Sequence, residues 1–219
     1  MTPMLYSHPF SSYCQKVLIA LYEKGIAFHY RVLGPDDPAA AQELGALWPL
    51  KRFPVLVDRG RTLIEASIII EHLDRAHPGA VPLFPADPAT ALEVRMMDRV
   101  FDNYVMTPMQ KLVLDQIRPE ADRDRYGVTE ARAMLDTIYG WLDGTMAGRT
   151  WAAGETFSVA DCAAAPSLFY ADWAHEIDAR HAHLRAYRAR LLARPSVARA
   201  VDEARPYRPY FPLGAPDRD

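Results

Sequence analysis

Short apolar segments alternate with amphipathic segments over the first eighty residues, which predicts alternating strands and helices. The last two apolar segments flank the turn Arg59-Gly60, which is typical of a β-hairpin. The predicted order is β-α-β-α-β-β-α, with strands at 4–7, 28–33, 55–58 and 62–64 and helices at 15–24, 39–47 and 67–77. We therefore expect an α/β domain in residues 1–78.

A proline-rich segment follows and separates two kinds of pattern. Proline interrupts both helices and strands, so residues 79–88 are predicted to form a linker. Beyond the linker, apolar positions recur with helical spacing at 89–105, 109–117, 129–146, 159–173 and 183–193. Residues 89–219 are therefore predicted to form an all-helical domain.

Composition excludes several classes of protein. The net charge of −3 shows no basic excess, so nucleic acid is not an expected partner. No apolar stretch approaches the roughly 20 residues that span a bilayer, so no membrane partner is expected. Cys14 and Cys162 are the only cysteines and are too few for a secreted disulfide framework. Since the N-terminus also lacks a signal-peptide pattern, we expect a cytoplasmic protein.

Ser11-Ser12-Tyr13-Cys14 lies between the first predicted strand and the first predicted helix. Backbone N–H groups and the positive end of a helix dipole meet at such a point, so an anionic sulfur can be stabilised there. Cys14 could itself be the reactive thiol, but a lone cysteine in the first helical turn is more typical of a buried packing residue. His181 and His183 suggest a metal, yet no acidic or thiol cluster accompanies them, so we expect surface residues and no metal site.

Four stretches, in this order and spacing, resemble the cytosolic glutathione transferase family and within it the serine-type, theta- and zeta-like classes. They are residues 11–17 (SSYCQKV), 53–56 (FPVL), 65–73 (EASIIIEHL) and 157–161 (FSVAD). The resemblance implies an α/β thioredoxin-like N-terminal domain that binds glutathione, followed by an all-α helical C-terminal domain that forms the co-substrate pocket. It also implies a homodimer that acts in detoxification, with glutathione as co-substrate and no metal.

The resemblance assigns thiol activation to Ser11, whose hydroxyl would donate to the glutathione thiolate. Ser12, on the same loop, is the second candidate. A purely structural alternative is that Ser11 only caps the helix. Tyr6 stands where tyrosine-type classes place their activating phenol, but its apolar neighbours favour core packing with a hydrogen-bond partner for the hydroxyl.

The resemblance also implies a glutathione-binding set. Phe53 would pair with the cysteinyl part through its main chain, ahead of a cis Pro54, although a trans proline opening an edge strand is the common case. Glu65 would take the γ-glutamyl ammonium group, and the carboxylate would fall to helix N–H groups, because Ala66 replaces the usual serine and Ser67 comes one position late. Lys51 and Arg52 are candidates for the glycyl carboxylate. Glu65 and Ser67 could instead serve only as helix-start residues.

The co-substrate pocket is predicted from helical spacing and from aromatic side chains. Its expected residues are Tyr13, Tyr104, Thr107, Lys111 and Trp173. Asp98 and Asp102 are candidates for the acidic residue that members of the family lend to the ligand of a partner subunit. Ser158 and Asp161 form a capping box with no chemical role.

The predicted function is conjugation of glutathione to a small electrophile. Two alternatives stay open: a glutathione-binding or ligand-binding member without turnover, and a glutathione-dependent reductase or isomerase. The electrophile is set by the shape of the pocket in the second domain rather than by a motif.

Overall fold

A four-stranded mixed sheet forms the centre of the N-terminal half of the protein. The structure, a computed structural model, describes residues 2–79 and 81–219. The strands are β1 (Met4–Ser7), β2 (His29–Val32), β3 (Val55–Asp58) and β4 (Arg61–Leu63), in the spatial order β2-β1-β3-β4. β1 and β2 are parallel and the other pairs are antiparallel. A parallel pair requires a crossover, and the helix between β1 and β2 provides it.

Helices account for almost all other regular structure in the described residues. They are α1 (Ser12–Glu23), α2 (Pro38–Leu47), α3 (Ala66–Ala76), α4 (Pro88–Val100), α5 (Thr107–Gln116), α6 (Arg125–Met146), α7 (Val159–Ala174), α8 (Ala182–Leu192) and α9 (Pro195–Ala204). A π-helix (Phe101–Met106) joins α4 to α5, and two 3₁₀ segments cover Glu120–Asp122 and Arg205–Tyr210. The predicted fold class, an α/β half followed by an all-helical half, is confirmed.

The differences from the predicted elements have local causes. α9 was not predicted, because Pro195 looks like the end of α8 in the sequence, whereas it occupies the first turn of the next helix. α1 begins at Ser12 instead of residue 15, since its first turn carries polar residues. The predicted linker includes Ala80, which lies outside the described residues.

α7 is the central helix of the second half, and every one of its sixteen residues is buried. It packs against α1, α4 and the π-helix. Small side chains such as Ala163 and Ala164 allow this close approach on several sides. The prediction of a helix buried on most sides is confirmed.

Asp161 does more than the predicted capping box requires. The box itself is present, with Asp161 Oδ2 accepting from the Ser158 N–H at 2.9 Å. Asp161 Oδ1 also accepts from the Ala152 N–H at 2.8 Å and from the Tyr187 hydroxyl at 2.6 Å. Asp161 therefore connects α7 to α8 and to the turn that precedes α7.

We expect Asp161→Ala to destabilise the protein far more than Ser158→Ala. The Asp161 variant leaves four buried donors without their acceptor, the three above and the Ser158 hydroxyl, at about 1–3 kcal/mol each, so the loss should reach at least about 3 kcal/mol. The Ser158 variant removes one cap interaction and should lose about 1 kcal/mol. Urea unfolding at constant m-value measures both, and equal losses would contradict the wider role of Asp161.

α3 is held to the sheet by a buried carboxylate. Asp58, at the end of β3, has its Oδ2 atom 2.9 Å from Nε2 of both His72 and His77. Burial raises the pKa of Asp58, but the two histidine contacts more than offset this, so its pKa lies below the ordinary value. The ionised carboxylate fixes the position of α3, whose first residues face the cleft described next.

Candidate functional site

An open cleft of about 740 Å³ lies between the loops of the sheet and the segment from α4 to α5. Residues from both halves line it: Ser11, Tyr13, Trp48, Leu50, Lys51, Arg52, Phe53, Pro54, Ile64, Glu65, Ala66, Arg99, Asp102, Asn103 and Gln110. The structure therefore brings together eight of the predicted site residues, which come from three separate stretches of the chain, 11–13, 51–54 and 65–66.

Ser11 lies at the N-terminus of α1 and faces this cleft. Its backbone is extended, and its side chain makes no capping hydrogen bond to the helix. Ser12 is the first residue of the helix, is only 7% exposed and does not line the cleft. Of the two candidate serines, only Ser11 lines the cleft.

The loop that carries Ser11 is fixed from the second half of the protein. The Tyr170 hydroxyl of α7 donates to the Phe10 carbonyl at 3.0 Å. Gln15 Nε2 donates to the Pro9 carbonyl and to the Tyr170 oxygen, both at 3.0 Å. These contacts hold the peptide groups immediately before Ser11.

Cys14 lies behind the loop and is fully buried. Burial raises the pKa of its thiol, and the nearby hydroxyls of Ser11 and Ser7 and the His8 N–H, which donates to the Cys14 sulfur at 3.5 Å, offset only part of this. The thiol therefore stays protonated and out of reach at neutral pH, and the prediction of a packing residue is confirmed. Tyr6 is also packed in the core, where its hydroxyl donates to Glu43 Oε2 at 3.1 Å.

The backbone of the cleft has three unusual features. The Phe53–Pro54 peptide bond is cis, as the resemblance implies. Lys51 and Glu65 have φ values of 52° and 66°, in the left-handed region that non-glycine residues seldom occupy. Such conformations are retained where the surrounding structure enforces them, often at ligand sites.

A buried group of charges forms one wall of the cleft. We call it the Lys16 cluster, and it consists of Lys16, Ser67, Asp98, Arg99 and Asp102. Lys16 is 1% exposed, and its Nζ atom lies 2.6 Å from Asp98 Oδ1, 2.8 Å from Asp102 Oδ2 and 2.8 Å from Ser67 Oγ. The cluster joins α1, α3, α4 and the π-helix.

Arg99 forms the solvent-facing side of the cluster. Its Nη2 atom lies 2.6 Å from Asp98 Oδ2 and 2.5 Å from Asp102 Oδ2, and it also contacts the Ser67 hydroxyl. Burial lowers the pKa of the guanidinium, but the two carboxylates raise it by more. Burial raises the pKa of Asp102, and Lys16 offsets only part of this. Two cations and two carboxylates thus balance each other.

Lys16 and Arg99 were not predicted as site residues. A signal for Lys16 was present, since it is a cation on the otherwise apolar face of an amphipathic helix. Asp98 and Asp102, four residues apart, would share a helix face, but the sequence does not show that Lys16 of the same chain lies between them. They were expected to serve a partner subunit, whereas here they pair within the chain.

Four predicted pocket residues do not line the cleft, namely Tyr104, Thr107, Lys111 and Trp173. Tyr104 is 50% exposed on another surface groove beside α6, and Lys111 pairs with Asp124. Trp173 is buried among aromatic side chains, 4.6 Å from Phe169 between ring centroids. For Tyr104 and Lys111 the prediction assumed 3.6 residues per turn, and the wider π-helix (Phe101–Met106) turns these positions to other faces.

Tyr13 lines the cleft, and the exposed side chain of Thr107 lies close to its phenol. Burial, followed by the nearby charge of Asp102, raises the pKa of the Tyr13 phenol to about 12. The phenol is therefore neutral at physiological pH and can only donate or accept a hydrogen bond. The Thr107 hydroxyl donates to the Asp102 carbonyl at 3.0 Å, so this side chain supports the wall.

Two classes of site, metal centres and membrane-spanning helices, are absent from the described ranges. Residues 2–79 and 81–219 contain no group of three or more His, Cys, Asp or Glu side chains placed to hold a metal ion. The expectation of a surface position is correct for His183 but wrong for His181, which packs edge-on against Tyr139 at the start of α8. None of the helices in these ranges is long and apolar enough to cross a membrane.

Comparison with known proteins agrees with this geometry. Residues 5–81 match the family Glutathione S-transferase, N-terminal domain, and residues 120–190 match Glutathione S-transferase, C-terminal domain. A solved glutathione S-transferase from Methylobacterium radiotolerans, in complex with glutathione sulfonate, is 30% identical with a TM-score of 0.80 and covers 92% of this chain and 95% of its own. The chain belongs to the cytosolic glutathione transferase family.

Relatives in this family carry different names. A stringent starvation protein A homolog from Coxiella burnetii is 30% identical over 75% of this chain and 74% of its own length. A probable maleylacetoacetate isomerase from Caenorhabditis elegans is 26% identical over 78% of this chain and 79% of its own. Membership of the glutathione transferase family therefore does not by itself specify the reaction.

We expect Lys16→Met to lower stability by about 3–5 kcal/mol, because it removes the buried cation between Asp98 and Asp102 and leaves only the partly exposed Arg99 beside these two buried carboxylates. Lys111→Met is the matched control, since Lys111 pairs with Asp124 at a partly exposed site where loss of a pair costs about 0–1 kcal/mol. Urea unfolding measures both. Losses within 1 kcal/mol of each other would contradict the role assigned to Lys16.

Proposed function

We propose that this protein is a glutathione transferase in which Ser11 activates the thiol of bound glutathione. The observation that carries the proposal is the position of Ser11, which faces the cleft at the N-terminus of α1 with a side chain not used to cap the helix. A hydroxyl donor and the N-terminal N–H groups of a helix both favour a thiolate. The solved relative in complex with glutathione sulfonate supports a glutathione-derived ligand in this fold.

The proposed reaction has two steps. The glutathione thiol releases its proton to solvent, and the Ser11 hydroxyl donates a hydrogen bond to the resulting thiolate. The sulfur then uses a lone pair to form a bond to an electrophilic carbon. The displaced electron pair leaves with a leaving group or passes to an electron-withdrawing substituent of the electrophile.

Glutathione would lie along the lining of the cleft. We assign the cysteinyl part to the main chain of Phe53 next to Pro54, the ammonium group to Glu65, and the glycyl carboxylate to Lys51 or Arg52. Both cations are exposed at the cleft, where they would attract a ligand with a net negative charge. The electrophile would bind beside Tyr13, Asn103 and Gln110, which form the remaining polar wall.

We further propose a homodimer. Tyr104 and Trp141 are 50% and 45% exposed, and together with Met134 they line an apolar groove of about 720 Å³ between the π-helix and α6. Exposed apolar surface of this kind is typical of an interface. A second copy of the chain would bury it.

Ser11→Ala should lower kcat/KM for conjugation of 1-chloro-2,4-dinitrobenzene by at least about 100-fold, as expected when one preorganised donor to a developing anion is lost. Glutathione binding should remain measurable, and the pKa of the bound thiol should rise toward its ordinary value of about 8.5. Steady-state kinetics and thiolate absorbance against pH give the two readouts.

Ser12→Ala is the matched control and should keep both kcat/KM and the thiol pKa close to wild type. Equal conjugating activity in Ser11→Ala and in wild type would refute the assignment of thiol activation to Ser11. If wild type binds glutathione but conjugates no electrophile, the alternative of a binding protein without turnover is correct.

The reductase alternative makes a different prediction about Cys14. Because its thiol is buried and protonated, we expect Cys14→Ser to leave any glutathione-dependent activity within about twofold of wild type. A loss of glutathione-dependent disulfide reduction in this variant, with normal thermal stability, would favour the redox function.

A further inference from the structure

The first turn of α3 opens on the cleft without a side-chain donor of its own. Its N-terminal backbone N–H groups have no partners within the helix, so they favour an anion. Ala66 presents only a methyl group, and Glu65, the preceding residue, makes no capping hydrogen bond. At this point α3 would offer an anion only backbone N–H donors and no side-chain donor.

The next hydroxyl, that of Ser67, is already used inside the Lys16 cluster. Its Oγ atom accepts from Lys16 Nζ and from Arg99 Nη2, and it donates to Asp98 Oδ2 at 2.8 Å. A hydroxyl has one proton to donate, and here that proton is committed to a carboxylate. Ser67 therefore cannot serve as a donor to a ligand in the cleft without breaking the cluster.

Arg99 lines the cleft beside Glu65 and Ala66 and has donors to spare. Its Nε and Nη2 atoms are held by the cluster, while Nη1 contacts no acceptor among residues 2–79 and 81–219. The side chain is 48% exposed. One side of the planar fork is thus fixed in the protein, and its remaining N–H groups are available to the cleft, an arrangement suited to a carboxylate.

The charges favour a zwitterionic ligand over a simple anion. The Lys16 cluster is balanced by its own carboxylates, and Glu65 adds an exposed negative charge at the same place. An α-amino acid group would place its carboxylate at Arg99 and the first turn of α3, and its ammonium group at Glu65. The carboxylate and the ammonium group of the ligand would then each face a protein group of opposite charge.

We propose that Arg99 binds the α-carboxylate of the γ-glutamyl group of glutathione and supplies the side-chain donor that Ala66 lacks. The inference rests on the proposed binding of glutathione in this cleft. It makes Arg99 a determinant of ligand selectivity, because a thiol ligand without that carboxylate gains nothing from the guanidinium.

Isothermal titration with two ligands tests this assignment. The ligands are glutathione and 4-aminobutanoyl-cysteinylglycine, which is glutathione without the α-carboxylate. Arg99→Met should raise the Kd of glutathione by about tenfold or more, as expected for the loss of a charge-assisted pair, and should change the Kd of the analogue less than threefold.

Arg95→Met is the matched control, since Arg95 lies one turn earlier on α4 with a similar exposure and pairs with Glu71 at 3.3 Å. It should change neither Kd by more than twofold. Because Arg99 also belongs to the Lys16 cluster, Arg99→Met lowers stability, so titrations are run well below the Tm of each variant. Adding Ala66→Ser to Arg99→Met should restore part of the affinity for glutathione but not for the analogue. A variant that only recovered stability would regain affinity for both ligands alike.

Two results would overturn the proposal: an unchanged glutathione Kd in Arg99→Met, or an equal loss of affinity for glutathione and for the analogue. Wild-type protein that binds no glutathione would remove the proposed function and this inference together. If wild type binds glutathione and either of the first two results is found for Arg99→Met, only the role of Arg99 is refuted.

Discussion

The buried ammonium group of Lys16 is the interaction on which the arrangement of the cleft depends. It lies between Asp98 and Asp102, so a residue of the first helix is bonded to the segment that forms the opposite wall. Removing three charges from water is costly, and only close geometry with additional hydrogen bonds offsets the cost. Such a group tolerates few alternative positions of α1 against α4, and it therefore fixes the distance between the two walls.

The position of Ser11 is determined from both sides in the same way. Lys16, one turn along α1, fixes the helix, while Tyr170 and Gln15 hold the peptide groups that precede the serine. Tyr170 belongs to α7, which is buried along its whole length and anchored by Asp161. The second half of the protein thus does more than enclose a co-substrate, because it positions the loop on which thiol activation is proposed to depend.

Local patterns were sufficient to predict the fold class, and the family resemblance was needed to predict which loops meet at the cleft. Ser11, Phe53-Pro54 and Glu65 each lie at a strand–loop–helix or loop–strand junction that can be recognised within a few residues. The Lys16 cluster could not be predicted, because Lys16 and Asp98 are far apart in sequence and their pairing depends on how α1 and α4 both pack against α7. Tyr104 and Lys111 were misplaced because the sequence gives no sign that Phe101–Met106 forms a π-helix.

A crystal structure of the protein with glutathione tests the central claim most directly. The account predicts the ligand in the cleft between Phe53 and Glu65, with its sulfur within about 3.5 Å of the Ser11 hydroxyl oxygen, near the limit of hydrogen-bond reach. Glutathione bound elsewhere, or in the cleft with its sulfur directed away from Ser11, would contradict it.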